Sequence, residues 1–142
     1  KNSPLLGGLE SMRESELKYC EDAIAIDSGN ESPWRYLKGL YKGDNVELVK
    51  SKAVANICIQ ELRKNSACIF ALDLLLDLIS LGYEASRHDL CGPLGLDDEI
   101  SNPYEIACFV CLRLKEIDPM RTLYWSWRRS TLPSTLSGGQ QV

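Results

Sequence analysis

The segment Asn30-Glu31-Ser32-Pro33-Trp34-Arg35-Tyr36-Leu37-Lys38-Gly39-Leu40 returns in degenerate form further along the chain, and that recurrence leaves few folds open. Ile26 and Trp34, eight residues apart, align with Leu62 and Phe70, 36 residues downstream, and again with Ile117 and Trp125, 91 residues downstream. In the last of these frames Asp27 matches Asp118 and Tyr36 matches Trp127. Self-similarity at about 34 residues, in segments that read as helix-turn-helix, is the pattern of helical hairpins that bury their apolar faces on one another. The expected fold is therefore all-α: an alpha-alpha superhelix of stacked antiparallel hairpins, TPR-like and right-handed. The 55 residues between the second and third frames exceed one unit, which assigns an insertion to residues 82–101.

The 142 residues, 44% of them hydrophobic, suffice for one core, so residues 1–132 read as one helical-repeat domain and 133–142 as a disordered tail. A formal net charge of −4, with Arg128-Arg129 the one dense basic group, argues against a nucleic-acid surface, which needs clustered cations. The most apolar stretch, Cys68 to Leu81, carries Asp73 and Asp77 and is a poor membrane span. No secretory leader is legible at Lys1-Asn2-Ser3-Pro4, so the expected location is cytoplasmic; the loop-like start without Met reads as part of a longer protein.

Apolar spacing predicts helices over 9–26, from Ser32-Pro33 through Tyr41, and over 46–64, 67–81, 104–117 and 121–131. Three starts are marked locally: a capping hydroxyl before proline at Ser32-Pro33, the Asn102-Pro103-Tyr104-Glu105 box, and Asp118-Pro119. Residues 82–101, with three glycines, a proline and Asp97-Asp98-Glu99, read as a mostly exposed linker around one short helix near Ser86 to Cys91.

Among the six cysteines and the single histidine, His88-x2-Cys91-x16-Cys108-x2-Cys111 has the spacing of a four-ligand zinc module. Core packing is the preferred reading. Cys108 and Cys111 share one side of a helix, while Ile106, Val110, Leu114 and Ile117 form a stripe roughly opposite, as suits a helix packed on both sides. Cys20, Cys58 and Cys68 likewise fall on helix faces and read as reduced core thiols. Asp73 with Asp77, and the acidic loop, read as solvated surface rather than acid/base groups. The aromatics at the repeat frame read as wedges between hairpins, some available to a partner.

The Asn30 to Gly39 box, with Arg13-Glu14-Ser15-Glu16-Leu17-Lys18-Tyr19 before it and Tyr124-Trp125-Ser126-Trp127-Arg128-Arg129 at the far end, resembles the alpha-subunit family shared by protein farnesyltransferase and type I protein geranylgeranyltransferase, and within it the C-terminal portion of the plant form. Trp125-Ser126-Trp127-Arg128 keeps the family's Trp-x-x-Arg pattern; Trp34-Arg35-Tyr36-Leu37 departs from it at Leu37. The resemblance implies a heterodimeric prenyltransferase that moves farnesyl or geranylgeranyl from its diphosphate to the cysteine of a C-terminal CaaX motif. It implies a beta subunit that holds zinc, magnesium as a further cofactor, and a scaffolding role for this segment at the beta-subunit interface. No catalytic, cofactor-binding or metal residue carries over, so the segment alone is expected to be non-catalytic. Trp34, Arg35, Tyr36, Lys38, Tyr124, Trp125, Trp127 and Arg128 are the candidates for hairpin packing or partner contact. A generic peptide-binding TPR-like adaptor, or the zinc module of His88, Cys91, Cys108 and Cys111, is the alternative.

Overall fold

The computed structural model describes residues 4–137, and among them it is all helical, with eight α-helices, two 3-10 turns and no strand. The chain divides into two compact units, Lys1–Asn45 and Val46–Val142. The first holds α1 (Pro4–Ile26) and α2 (Glu31–Gly39), packed as an antiparallel hairpin. The second begins with α3 (Asn45–Lys50, its first residue shared with the boundary) and continues with α4 (Lys52–Lys64), α5 (Ile69–Ser80), α6 (Arg87–Leu94), α7 (Pro103–Ile117) and α8 (Thr122–Ser130). Within it α4 pairs with α5 and α7 with α8, and α5 packs on α7 to join the two hairpins.

The repeat frame marks a geometric unit. Each hairpin's second helix starts five residues after its first one ends: Ile26 to Glu31, Lys64 to Ile69, Ile117 to Thr122. The tryptophans of the first and third frames, Trp34 and Trp125, are buried at that joint, while Phe70 of the second is half-buried. The core of the second unit centres on α5, where Ala71, Leu72, Leu74, Leu75, Leu76, Leu78 and Ile79 are all buried between α4 and α7. Burial of each such leucine stabilises by about 1.5–3 kcal/mol. Helix α7 buries one broad face rather than two opposite stripes: Ile106, Ala107, Val110, Cys111 and Leu114 are inaccessible against α5 and α8, whereas Cys108, of the second expected stripe, is half-buried.

Local starts differ in detail from expectation. At α2 the cap is Asn30, whose side chain accepts from the Ser32 amide, so Ser32 and Pro33 fall inside the first turn, where the missing proline N–H costs nothing. The expected helix over 46–64 is broken at Ser51, whose hydroxyl accepts from the Val54 amide and starts α4 afresh. At α7 the box closes as read, with Asn102 and Glu105 capping reciprocally. Asp118-Pro119 opens a 3-10 turn, Pro119–Arg121, that leads into α8.

Residues 82–101 are not a mostly exposed linker. Ala85, Leu90, Pro93, Leu94 and Leu96 are buried, and α6 packs on α4. Gly95 ends α6 at φ +67, and its amide and that of Leu96 both return to the Cys91 carbonyl. Nothing lies within 4 Å of a Cβ built there, so only the backbone resists a side chain. Gly95→Ala is expected to cost about 1–2 kcal/mol, read from thermal or urea denaturation. In the expected tail, Ser134–Ser137 form a second 3-10 turn that packs on α7, with Leu136 buried; residues 138–142 lie outside the described residues. Among the described residues no helix is long and apolar enough to cross a membrane.

Candidate functional site: the helix faces around Trp34 and Trp125

In the first unit, α2 turns Trp34 and Leu37 inward, and the Trp34 Nε1 donates to the Ser28 carbonyl at 3.0 Å. Leu37, standing where the family pattern has arginine, is fully buried, and the polar links of this hairpin come from elsewhere. The Tyr36 hydroxyl donates to Glu16 of α1 at 2.7 Å, with the Tyr19 ring edge-on to Tyr36. That hydrogen bond to a carboxylate holds the Tyr36 phenol above its ordinary pKa. Arg13 of α1 donates to the Leu40 carbonyl at the end of α2, reaches Asp44 at 3.4 Å and lies over the Tyr41 ring. Arg35 points to solvent beside Glu31, and Lys38 is half-buried.

The second unit repeats the arrangement with different chemistry. Trp125 is fully buried and its Nε1 donates to the Asp118 carboxylate at 3.1 Å, which also takes the Arg121 Nε at 2.8 Å. The matching Asp27 instead accepts from the Gly29 amide, which leaves the Trp34 indole a backbone partner. Arg128 crosses from α8 to α5, where its guanidinium meets Asp77 at 2.8 Å and Asp73 at 3.5 Å and takes up the Tyr124 hydroxyl at 3.2 Å. Asp73 and Asp77 are therefore not simply a solvated face; they receive a cation from the neighbouring hairpin.

Some candidates remain outward. Trp127 is 57% exposed and Tyr36 47%, and Met120 of the 3-10 turn and Leu123 of α8 are exposed apolar residues that precede Trp127 at successive spacings of three and four positions. Aromatic rings held by packed helices, with open faces, suit protein contact.

The hydrogen bonds from Arg121 and Trp125 hold the Asp118 carboxyl below the ordinary aspartate range. A depressed folded pKa contributes stability above the unfolded value, near about 3.9, that is lost as pH falls through the lower folded one. The stability gap between the parent chain and Asp118→Asn is thus expected to be open at neutral pH and to close below about pH 4, as read by urea denaturation across pH. An unchanged gap at pH 2 would contradict this.

The four residues of the zinc spacing do not converge. Among the described residues no group of three or more His, Cys, Asp or Glu side chains is placed to hold a metal ion. Cys111 is buried, and burial first, then the neighbouring Cys108, pushes its thiol up to about 11. None of the six cysteines is in a disulfide; Cys20, Cys58, Cys68 and Cys111 are buried and Cys91 and Cys108 half-buried. Native alkylation with iodoacetamide at pH 8 is expected to mark Cys91 and Cys108 first and to leave the other four until denaturant is added, a result that peptide mass mapping reads directly.

Along nearly its whole length the chain is similar to plant proteins named "Protein farnesyltransferase/geranylgeranyltransferase type-1 subunit alpha". Identity is 40% over 133 residues with that of Pisum sativum, 41% over 134 with that of Arabidopsis thaliana, and 41% over 145 with that of Solanum lycopersicum. These alignments take in 92%, 92% and 99% of this chain but 40%, 40% and 41% of the relatives, so the chain spans about two fifths of the length of the curated proteins it matches. No family model matches the chain, and no solved structure does. The resemblance carried by the Asn30 to Gly39 box and the Tyr124 to Arg129 segment thus extends well beyond those segments.

Proposed function

We propose that this chain is a scaffold segment of the alpha subunit of a heterodimeric protein prenyltransferase, in the cytosol, and that it is not catalytic by itself. The observation that carries the reading is identity of 40–41% with three plant alpha subunits over nearly all of the chain. The hairpins are consistent with it: tryptophans lock the first and last helix pairs from inside while Tyr36, Tyr124 and Trp127 remain exposed. In this reading those side chains, with Arg35 and Lys38, meet a beta subunit. The holoenzyme moves farnesyl or geranylgeranyl from its diphosphate to the cysteine of a CaaX protein, and the zinc and magnesium of that chemistry are assigned away from this chain.

The test is co-expression with a plant prenyltransferase beta subunit, followed by size-exclusion chromatography and a prenyl-transfer assay on a CaaX peptide. A 1:1 complex is expected, weakened by Trp127→Glu with Tyr36→Glu. Separate elution of the two chains, or turnover by this chain without a beta subunit, would overturn the proposal.

A further inference from the structure

A groove of about 640 Å³ runs along the outer side of α7 in the second unit, closed on one side by the loop that follows α6. Its floor is Tyr104, Cys108, Phe109 and Leu112, with Ile100 from the loop opposite. Those side chains are half-buried, Leu112 more open still, so the floor is apolar surface left facing water. Asp97, Glu99, Glu105 and Glu116 stand around it against two cations, Arg113 and Arg129. Arg113 is largely committed within the fold: it donates to the Ser66 and Leu94 carbonyls, lies over the Phe109 ring and approaches Glu116 at 4.0 Å. The exposed part of the rim therefore carries three acids, Asp97, Glu99 and Glu116, against one exposed cation, Arg129, and is acidic on balance.

The opposite wall is held in place. Arg87 of α6 donates to the Asp97 and Ile100 carbonyls and meets the Asp98 carboxylate, which ties the two ends of the loop to one guanidinium. A groove fixed in this way does not have to be ordered when something binds. From Glu105 to Glu116 it measures about 16 Å at the helical rise of α7, the reach of about five extended residues.

We propose that this groove receives a short extended segment of a protein partner in which a large apolar side chain is flanked by lysine or arginine. The apolar residue seats on Phe109, Leu112 and Tyr104, and the basic residues meet Asp97 and Glu99 at one end and Glu116 at the other. The same charge disfavours phosphate-bearing occupants, whether nucleic acid or an anionic membrane. This inference stands on unit-two geometry and does not depend on the prenyltransferase reading.

The probe is a fluorescein-labelled pentapeptide of lysines alternating with leucine and phenylalanine, titrated into the full chain and followed by anisotropy. Its glutamate counterpart is the control. Saturable binding is expected, weaker by about tenfold or more for the glutamate peptide and on raising salt. Asp97→Lys with Glu99→Lys is expected to weaken the lysine peptide by about tenfold, and Leu112→Ala by about as much, both with unchanged circular dichroism because the three positions are exposed. Amide shifts on binding should fall within residues 95–116. No saturation at millimolar peptide, equal binding of the two peptides, indifference of both variants, or shifts lying elsewhere would overturn the proposal, as would preferential binding of anionic vesicles.

Discussion

Trp125→Ala is expected to remove about 3–5 kcal/mol of stability, the largest loss of any single substitution considered, because the ring it deletes is large and wholly enclosed. The indole sits where the turn from α7 enters α8, so its removal opens a void at a joint rather than at one end of a helix. Relaxation of that void would require α8 to approach α7, and Arg128 on the same helix already fixes its distance to α5. A cavity that cannot collapse retains its full cost. Trp125→Phe separates the two contributions: most of the ring volume stays, and the lost hydrogen bond to the Asp118 carboxylate costs about 1.5–3 kcal/mol. Urea denaturation followed by circular dichroism decides the matter. A loss under 1 kcal/mol for alanine would mean that the frame tryptophan is not the wedge proposed here.

Much of this fold could be read from residues, and the failures share one cause. Features carried by short sequence distances were legible: the Trp34 and Trp125 frames, the Asn102 to Glu105 box, and the buried Ile106, Val110 and Leu114 stripe of α7. Features decided by competition between neighbours were less so. Asn30 displaced Ser32 as a cap because both can accept an amide and only the chain's entry direction chooses between them. Ser51 broke an apolar period that runs through it undisturbed, since a side chain that bonds the backbone leaves no mark on hydrophobic spacing. In residues 82–101 the short helix was legible, but the buried Leu90, Leu94 and Leu96 are separated by Gly92, Pro93 and Gly95, so no sustained periodicity marked the segment as packed. The groove on α7 was missed because its wall comes from that same segment. Contacts over long sequence separation were the least visible. Nothing near Asp73 or Asp77 announces that a cation 51 or 55 residues away will reach them.

That cation gives the second large effect. Arg128→Met is expected to cost about 1–3 kcal/mol: removing one partner of a buried ion pair costs about 3–5, and the partial exposure of the carboxylates reduces it by solvent screening. The arginine side chain is only 12% exposed, whereas Asp73 and Asp77 are 24% and 28% exposed, so water can reach the acids once the guanidinium has gone. Two carboxylates one helical turn apart would then repel across α5, and α8 would lose its charged tie to that helix. Arg128→Lys should recover part of the loss, since an ammonium can meet Asp77 but cannot span both acids and the Tyr124 hydroxyl with a planar fork. The decisive measurement is a double-mutant cycle. Asp77→Asn should cost less in the Arg128→Met background than in the parent chain, because the interaction it would break is already absent. If the two substitutions add independently, or if Arg128→Met falls within about 0.5 kcal/mol of the parent, the pair is an ordinary surface contact, and the apolar packing of α5 on α7 alone holds the two hairpins of this unit together.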